Sequence, residues 1–102
     1  MTIECVNTIE IQLPESRSDV FAEYAQEHVL RLQAYPGCHD YVLARSSQDE
    51  HRWWLNGYWE SKALMESSFD GEAMAELLDD LIQNGATLTF GSFIPMAKAH
   101  GR

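Results

Sequence analysis

One amide interrupts an otherwise apolar strand face near the start of the chain. From Ile3 to Leu13 alternate residues share a face, and Asn7 lies on it between Cys5 and Ile9. A buried amide must be hydrogen-bonded or line a hydrated pocket, because leaving it unpaired costs on the order of 1–3 kcal/mol. We predict Asn7 as a catalytic residue that stabilises a developing oxyanion. A structural amide that bonds a neighbouring strand or helix explains the same pattern equally well.

One histidine lies in the apolar stripe of the first predicted helix. The stripe recurs at three- and four-residue steps and comprises Phe21, Tyr24, Ala25, His28, Val29 and Leu32. An imidazole with its ordinary pKa of about 6.5 suits a general base that takes a phenolic or enolic proton, so we predict this role for His28. A lone helical histidine is more often a hydrogen-bonded core or boundary residue. No H-x-x-x-H or H-x-H spacing occurs in the sequence, so no metal site is predicted.

All three tryptophans fall in one aromatic stretch, residues 51–61, which has the composition of a β-strand. Alternation places Trp53, Leu55, Gly57 and Trp59 on one face and Trp54, Asn56 and Tyr58 on the other. The first set is expected to face the helices, where Trp53 and Trp59 could form a flat wall for an aromatic substrate. Plain core packing accounts for them equally well.

These residues must be positioned by a small set of elements. The hydrophobic periodicity predicts strand, helix, strand, strand, broken helix and strand, in that order. The helix following Ser61 breaks at Asp70-Gly71, and Asn84-Gly85 ends its second part. This is a ferredoxin-like α+β arrangement, with a four-stranded antiparallel sheet and the helices on one face.

The helices can cover only one face of this sheet. The other face, carrying Trp54 and Tyr58, is apolar and needs a cover of its own. We therefore expect two sheets to meet face to face in a homodimer.

Length and charge limit the remaining possibilities. The 102 residues predict one domain, residues 1–102, with a loose polar tail at residues 98–102. The 16 acidic and 7 basic residues give a net charge of −9, which argues against nucleic acid and anionic membranes as partners. No apolar run approaches ~18 residues, and Cys5 and Cys38 form no disulfide framework. A cytoplasmic protein with reduced thiols is expected.

Several motifs resemble the antibiotic biosynthesis monooxygenase family of dimeric α+β barrels. They are Pro36-Gly37-Cys38 before the second strand, Tyr41 and Arg45 on it, and Tyr58-Trp59-Glu60-Ser61-Lys62-Ala63 at the following strand-to-helix junction. The resemblance implies a small homodimer with one pocket per subunit, between the sheet and its helices. Members oxidise quinol-like or polyketide aromatics with dioxygen and without metal or flavin, and a related branch degrades haem.

The sequence departs from both branches of that family. In the quinone-forming branch an asparagine precedes the motif tryptophan by four residues and a tyrosine follows it by six, where this chain has Leu55 and Met65. In the haem-degrading branch the first-strand asparagine matches Asn7, but its helix tryptophan and its iron-ligating histidine fall on about Ser68 and Leu78. Without an axial ligand haem has no anchor, so no cofactor is predicted.

We therefore predict a cofactor-independent monooxygenase that acts on a small electron-rich aromatic, quinol-like or polyketide-like substrate. The predicted catalytic residues are Asn7, His28 and Trp59, and the predicted substrate-binding residues are Trp53, Tyr41, Arg45 and Met65. Arg45 could bind an oxyanion, although a surface salt bridge is the commoner role. The alternative is a homodimer of the same fold that binds a small aromatic or apolar ligand without chemistry.

Overall fold

The computed structural model describes residues 2–96, which form four strands and three helices. Their bounds are β1 Cys5–Gln12, α1 Glu15–Gln33, β2 Cys38–Arg45, β3 Arg52–Trp59, α2 Lys62–Ser68, α3 Glu72–Gln83 and β4 Thr87–Phe93. This order confirms the predicted succession of elements, including the broken second helix. The predicted tail at residues 98–102 lies outside the described residues.

The strands form one antiparallel sheet in the order β2-β3-β1-β4. Residues of β1 and β3 alternate between buried and more exposed positions along their length. The buried set includes Ile9 on β1 and Trp53, Leu55 and Trp59 on β3, and it faces the helices. The ferredoxin-like α+β fold is thus confirmed, and one buried core serves all the elements.

Each helix contributes a buried stripe to this core. In α1 the buried apolar residues are Phe21, Ala25, Val29 and Leu32, as the three- and four-residue spacing predicts. In α3 they are Ala73, Met74, Leu77 and Leu81. The three- and four-residue spacing along α3 also includes Ile82, which is instead 62% exposed.

The chain turns depend on a few local signals. Ser61 caps α2, since its hydroxyl accepts a hydrogen bond from the Leu64 amide. Gly85 ends α3 with a φ of +81°, in the left-handed region predicted for it. α1 begins after Pro14 without a side-chain cap, and Ser18 is buried inside its first turns. Within residues 2–96 no helix is both long and apolar enough to cross a membrane.

Candidate functional site

The candidate site is built on one row of residues that crosses the sheet. In the strand register Tyr41 on β2 lies opposite Gly57 on β3, which lies opposite Asn7 on β1, which lies opposite Ser92 on β4. Paired residues point to the same side of a sheet. The row therefore faces the helices together with the buried residues of β1 and β3.

The glycine in this row lets the tyrosine reach the asparagine. A side chain at Gly57 would collide with Asn7 Oδ1 and with the Tyr41 ring, whose Cζ would lie 2.6 Å from the added carbon. With only hydrogen at that position, the Tyr41 ring extends over β3 and its hydroxyl donates to Asn7 Oδ1 at 3.1 Å. Residues two strands apart are thereby joined by a direct hydrogen bond.

The orientation of the Asn7 carboxamide is fixed by the indole of Trp59. The Trp59 Nε1–H donates to Asn7 Oδ1 at 2.7 Å. Because an indole N–H can only donate, the atom that it meets must be the amide oxygen. With the Tyr41 hydroxyl on the same oxygen, both acceptor positions of Asn7 are occupied. The Nδ2–H₂ group is therefore the part of the amide left for other partners.

A cavity of about 450 Å³ lies against Asn7, between the β1–β4 part of the sheet and helices α2 and α3. It is lined by Asn7, Thr8, Ile9, Phe69, Met74, Leu78, Phe90, Gly91 and Ser92. Phe69 and Phe90 are 40% and 60% exposed, so the cavity opens to solvent beside them. Every residue in that lining is uncharged, and most are apolar. The site suits a neutral, largely apolar ligand.

The Asn7 Nδ2–H₂ group is available to such a ligand. Asn7 is only 3% exposed, yet it lines the cavity. Within residues 2–96 its Nδ2 has no hydrogen-bond partner. In the same residues, the fully buried side-chain polar atoms without a partner are His28 Nδ1 and His51 Nδ1. Because Asn7 Nδ2 is not one of them, it is not fully buried and keeps contact with the cavity space. It is a fixed donor in apolar surroundings.

The phenol of Tyr41 remains protonated at this site. Burial raises the pKa of Tyr41 to about 12, against a smaller opposing effect of the hydrogen bond to Asn7. The hydroxyl is consequently a donor at neutral pH. It acts on Asn7 Oδ1 and is not available as a base.

Three of the predicted site residues lie behind the cavity. Trp59 has no exposed surface, Tyr41 is 2% exposed, and neither lines the cavity. Met65 on α2 is likewise buried in the core and absent from the lining. Trp59 and Tyr41 contact Asn7, whereas the aromatic side chains in the cavity lining are Phe69 and Phe90, not the predicted Trp53 and Trp59.

His28 does not face this cavity, contrary to the expectation from its place in the helical stripe. Its Nε2 lies 3.0 Å from Asp80 Oδ2, which joins α1 to α3. The His28 ring also packs edge-on against Tyr24. The apolar stripe of α1 extends beyond the sheet onto α3, and His28 lies on that part of it. The geometry corresponds to the bonded boundary histidine that was the alternative to a general base.

Trp53 and Arg45 belong to a second polar cluster, centred on the hydroxyl of Ser18. This hydroxyl donates to the Glu50 carbonyl at 2.6 Å and accepts from Trp53 Nε1 at 2.9 Å and from Arg45 Nη2 at 2.8 Å. Arg45 also pairs with Asp19 at 2.9 Å, and its guanidinium lies 4.7 Å from the Trp53 ring centre. Neither residue lines the cavity beside Asn7. The structure does not bring them together with the other predicted site residues.

Two cysteines flank Trp59 in the sheet. Cys5 on β1 and Cys38 on β2 are both in register with Trp59 on β3, so a whole strand separates them, and both are free thiols. Burial is the main cause that raises the pKa of each thiol. Within the described residues no group of three or more histidine, cysteine or acidic side chains could hold a metal ion.

The sequence matches one protein-family model, that of the antibiotic biosynthesis monooxygenases, over residues 5–79. The chain belongs to this family. The match runs from β1 into α3 and contains Asn7, Tyr41, Gly57 and Trp59. None of the curated proteins compared with the sequence matches it.

Solved structures share the antibiotic biosynthesis monooxygenase fold with this chain at low sequence identity. A Deinococcus radiodurans protein, described as a candidate antibiotic biosynthesis monooxygenase, superposes with a TM-score of 0.85 at 9% identity, over 94% of this chain and 96% of its own. A Nitrosomonas europaea protein with the same description gives 0.81 at 11%, over 91% and 99%. The Pseudomonas aeruginosa protein PA3566 gives 0.78 at 15%, over 95% and 98%. At these identities the likeness establishes the fold.

Sequence reasoning found one residue of the cavity lining, Asn7, and missed the others. Phe90 and Ser92 share the parity of β4 that pairs with Ile9 and Asn7. The register of β4 against β1 would have identified them. Phe69 lies at the break between α2 and α3, where no periodic pattern applies.

Proposed function

We propose that this family member is a monooxygenase that oxidises a small, neutral, electron-rich aromatic of the phenol, quinol or anthrone type with dioxygen, without metal or flavin. One observation carries the proposal: the Asn7 Nδ2–H₂ group is held as a fixed donor at the wall of an apolar cavity. Family membership supports the reaction class, although the fold alone hosts several functions.

The chemistry asks the protein mainly to stabilise an anion. An anthrone-type substrate loses a proton to become an enolate, and a hydrogen bond from Asn7 Nδ2 to the enolate oxygen lowers the free energy of that charge. The enolate carbon gives electrons to dioxygen and forms a C–O bond, yielding a peroxide after the peroxy anion takes up a proton. Loss of water from the peroxide then gives the carbonyl product, so R₂CH₂ + O₂ becomes R₂C=O + H₂O.

The proton leaves to water at the cavity mouth in this proposal. No ionisable side chain is present among the residues that line the cavity in the described part of the chain. Tyr41 keeps its proton because its pKa is raised to about 12, and His28 is paired with Asp80. A substrate acidic enough to ionise into water, and an amide that favours its anion, together replace a protein base.

Oxygen uptake with a panel of anthrones and quinols tests the proposal. Asn7→Asp keeps an oxygen acceptor for Trp59 and Tyr41 but removes the Nδ2–H₂ donor, so uptake should fall about 10²-fold or more. Ser68→Ala is the matched control, because Ser68 is also 3% exposed and polar but, among residues 2–96, its hydroxyl donates to the carbonyl of Met65 in its own helix. Absence of uptake across the panel, or full activity of Asn7→Asp, would refute the proposal.

The second candidate function is binding of a small apolar ligand without chemistry. The uncharged lining favours it, since it offers a ligand no acid or base. Co-purification of an aromatic compound that is recovered unchanged after aerobic incubation would decide for this function.

We also propose that two copies pair through the open face of the sheet and act in a reducing compartment such as the cytoplasm. The open face carries Trp54, Val42 and Phe93, which are exposed in one chain. Apolar side chains on a sheet face are stabilised when a second sheet covers them. Two free cysteines support the reducing compartment.

A further inference from the structure

We propose that Trp59 is a positioning residue that holds the Asn7 amide with its Nδ2–H₂ group toward the cavity, while the Tyr41 hydroxyl fills the second acceptor position of Oδ1. The cavity then selects ligands presenting a hydrogen-bond acceptor and rejects ligands presenting a donor. The inference rests on the proposed function for the identity of the substrate, but the selectivity is a property of binding. It applies to the cavity whether or not a reaction follows.

The argument starts from the two lone pairs of the Asn7 amide oxygen. Trp59 Nε1 lies 2.7 Å from Oδ1, and the Tyr41 hydroxyl lies 3.1 Å from it. The indole can only donate, and Tyr41 remains protonated well above neutral pH. Both acceptor positions of Asn7 are therefore filled from inside the core. A ligand in the cavity meets only N–H groups from this amide.

Rotating the amide by half a turn is prevented by the indole N–H of Trp59. The flipped carboxamide would place N–H₂ against the indole N–H, leaving two donors face to face in the core. Trp59 has no exposed surface, and water does not reach its indole N–H. A buried donor without an acceptor costs on the order of a tenfold to hundredfold change in an equilibrium constant. The observed orientation is thus kept when a ligand arrives.

The two donors to Asn7 Oδ1 are not equivalent. The indole fixes which amide atom is the oxygen, because it has no acceptor of its own. A phenolic hydroxyl can donate or accept, so Tyr41 alone would tolerate either orientation of Asn7. Loss of the Trp59 N–H should release the amide, whereas loss of the Tyr41 hydroxyl should leave its orientation intact.

Three planar tricyclic compounds differ in the hydrogen-bonding group that they can present to Asn7. 9-Fluorenone carries a carbonyl acceptor, carbazole carries an N–H donor at the corresponding position, and fluorene carries neither. Calorimetric titration of the full-length protein should give an affinity for fluorenone about tenfold or more above that for carbazole. Ser92→Ala removes the hydroxyl opposite Asn7 that could accept from carbazole, so it should preserve or widen that ratio.

The variants test the positioning role through this ratio, which loss of packing alone would not change. Trp59→Phe should bring the fluorenone-to-carbazole ratio close to one, and Tyr41→Phe should keep it. If Trp59→Phe does not fold, the side-chain amide protons of Asn7 in the wild-type protein provide the readout by nuclear magnetic resonance. They should shift with fluorenone and not with carbazole.

Equal affinities in the wild-type protein, absence of fluorenone binding, or an unchanged ratio in a folded Trp59→Phe would overturn the inference. Oxygen uptake with anthrone is measured separately. Selective binding of fluorenone without any uptake would reject the proposed function and support the acceptor selectivity. Uptake without selectivity would reject the positioning role alone.

Discussion

Gly57 is the residue on which the contact between Tyr41 and Asn7 depends. Its missing side chain leaves the space through which the tyrosine ring crosses β3. Glycine in the middle of a strand ordinarily weakens it, and here that cost is offset by a tyrosine ring and its hydrogen bond to the neighbouring strand.

We predict that Gly57→Ala lowers the free energy of unfolding by about 1–3 kcal/mol, because the added carbon overpacks a site already filled by Asn7 and Tyr41. Urea denaturation followed by tryptophan fluorescence measures the change. Gly91→Ala is the control, since a side chain there approaches its nearest neighbour, the Thr8 hydroxyl, no closer than 3.1 Å, and that hydroxyl can rotate. A cost for Gly57→Ala no larger than for the control would contradict this account.

Tyr41 should make stability fall at high pH. The folded-state pKa of about 12 lies above the usual value of about 10, so the unfolded chain loses this proton first. The contribution is fully present below pH ~10 and is lost as pH rises to ~12, amounting to about 2–3 kcal/mol. Unfolding measured across this range should lose stability more steeply in the wild-type protein than in Tyr41→Phe. Parallel profiles would rule out the raised pKa.

Among single residues, the sequence could indicate Asn7 but not the side chains that donate hydrogen bonds to it. A polar residue in an apolar alternation is visible in the pattern, and Asn7 is one. The bonds to Tyr41 and Trp59 depend on how β2 and β3 align with β1, which alternation does not specify. The spacing of His28 placed it correctly on the inner side of α1. It did not indicate its partner, Asp80, because that residue comes from a helix distant in the sequence.

Among the elements, α1 is attached to the β2–β3 hairpin by one hydroxyl. Ser18 in α1 bonds the Glu50 carbonyl in the hairpin loop, Trp53 on β3 and Arg45 on β2. The role of Ser18 is not visible in the local sequence pattern, because its contacts come from residues far along the chain. The helix itself, and its buried stripe, followed from periodicity alone.

Ser18→Ala should reduce the free energy of unfolding by about 1–3 kcal/mol, since it leaves the buried Trp53 indole N–H without an acceptor. Ser16→Ala is a matched control, one that changes an exposed serine in the same helix and should alter stability by less than about 0.5 kcal/mol. Thermal unfolding monitored by circular dichroism measures both. Equal midpoints for the two variants would show that this cluster does not hold α1 to the hairpin.

The arrangement of elements was readable from the sequence because strands and helices differ in period. The alternation in β1 and β3 and the three- and four-residue spacing in α1 and α3 predicted the element order that the structure has. The cavity was less accessible to sequence reasoning. It lies beside the edge strand β4, where Phe90 is 60% exposed, and this placement depends on the strand order of the whole sheet.

For the whole molecule, the proposed dimer should dissociate when a charged side chain is introduced on the open face of the sheet. Trp54→Glu should convert a dimer to a monomer, because it places a carboxylate beside Glu10, its partner in the register, at the buried centre of the contact. Sedimentation at micromolar concentration measures the mass. Leu30→Glu, on the outer surface of α1, is the control and should leave the dimer intact. A monomeric wild-type protein would refute the proposed pairing.

The placement of the two cysteines limits what oxidants can do to this subunit. Oxidants attack the thiolate, and burial keeps both thiols in their protonated form at neutral pH. The strand that carries Trp59 stands between them, so even an oxidised thiol finds no second sulfur within bonding distance. Oxidation of either thiol would therefore leave the subunit without an internal crosslink.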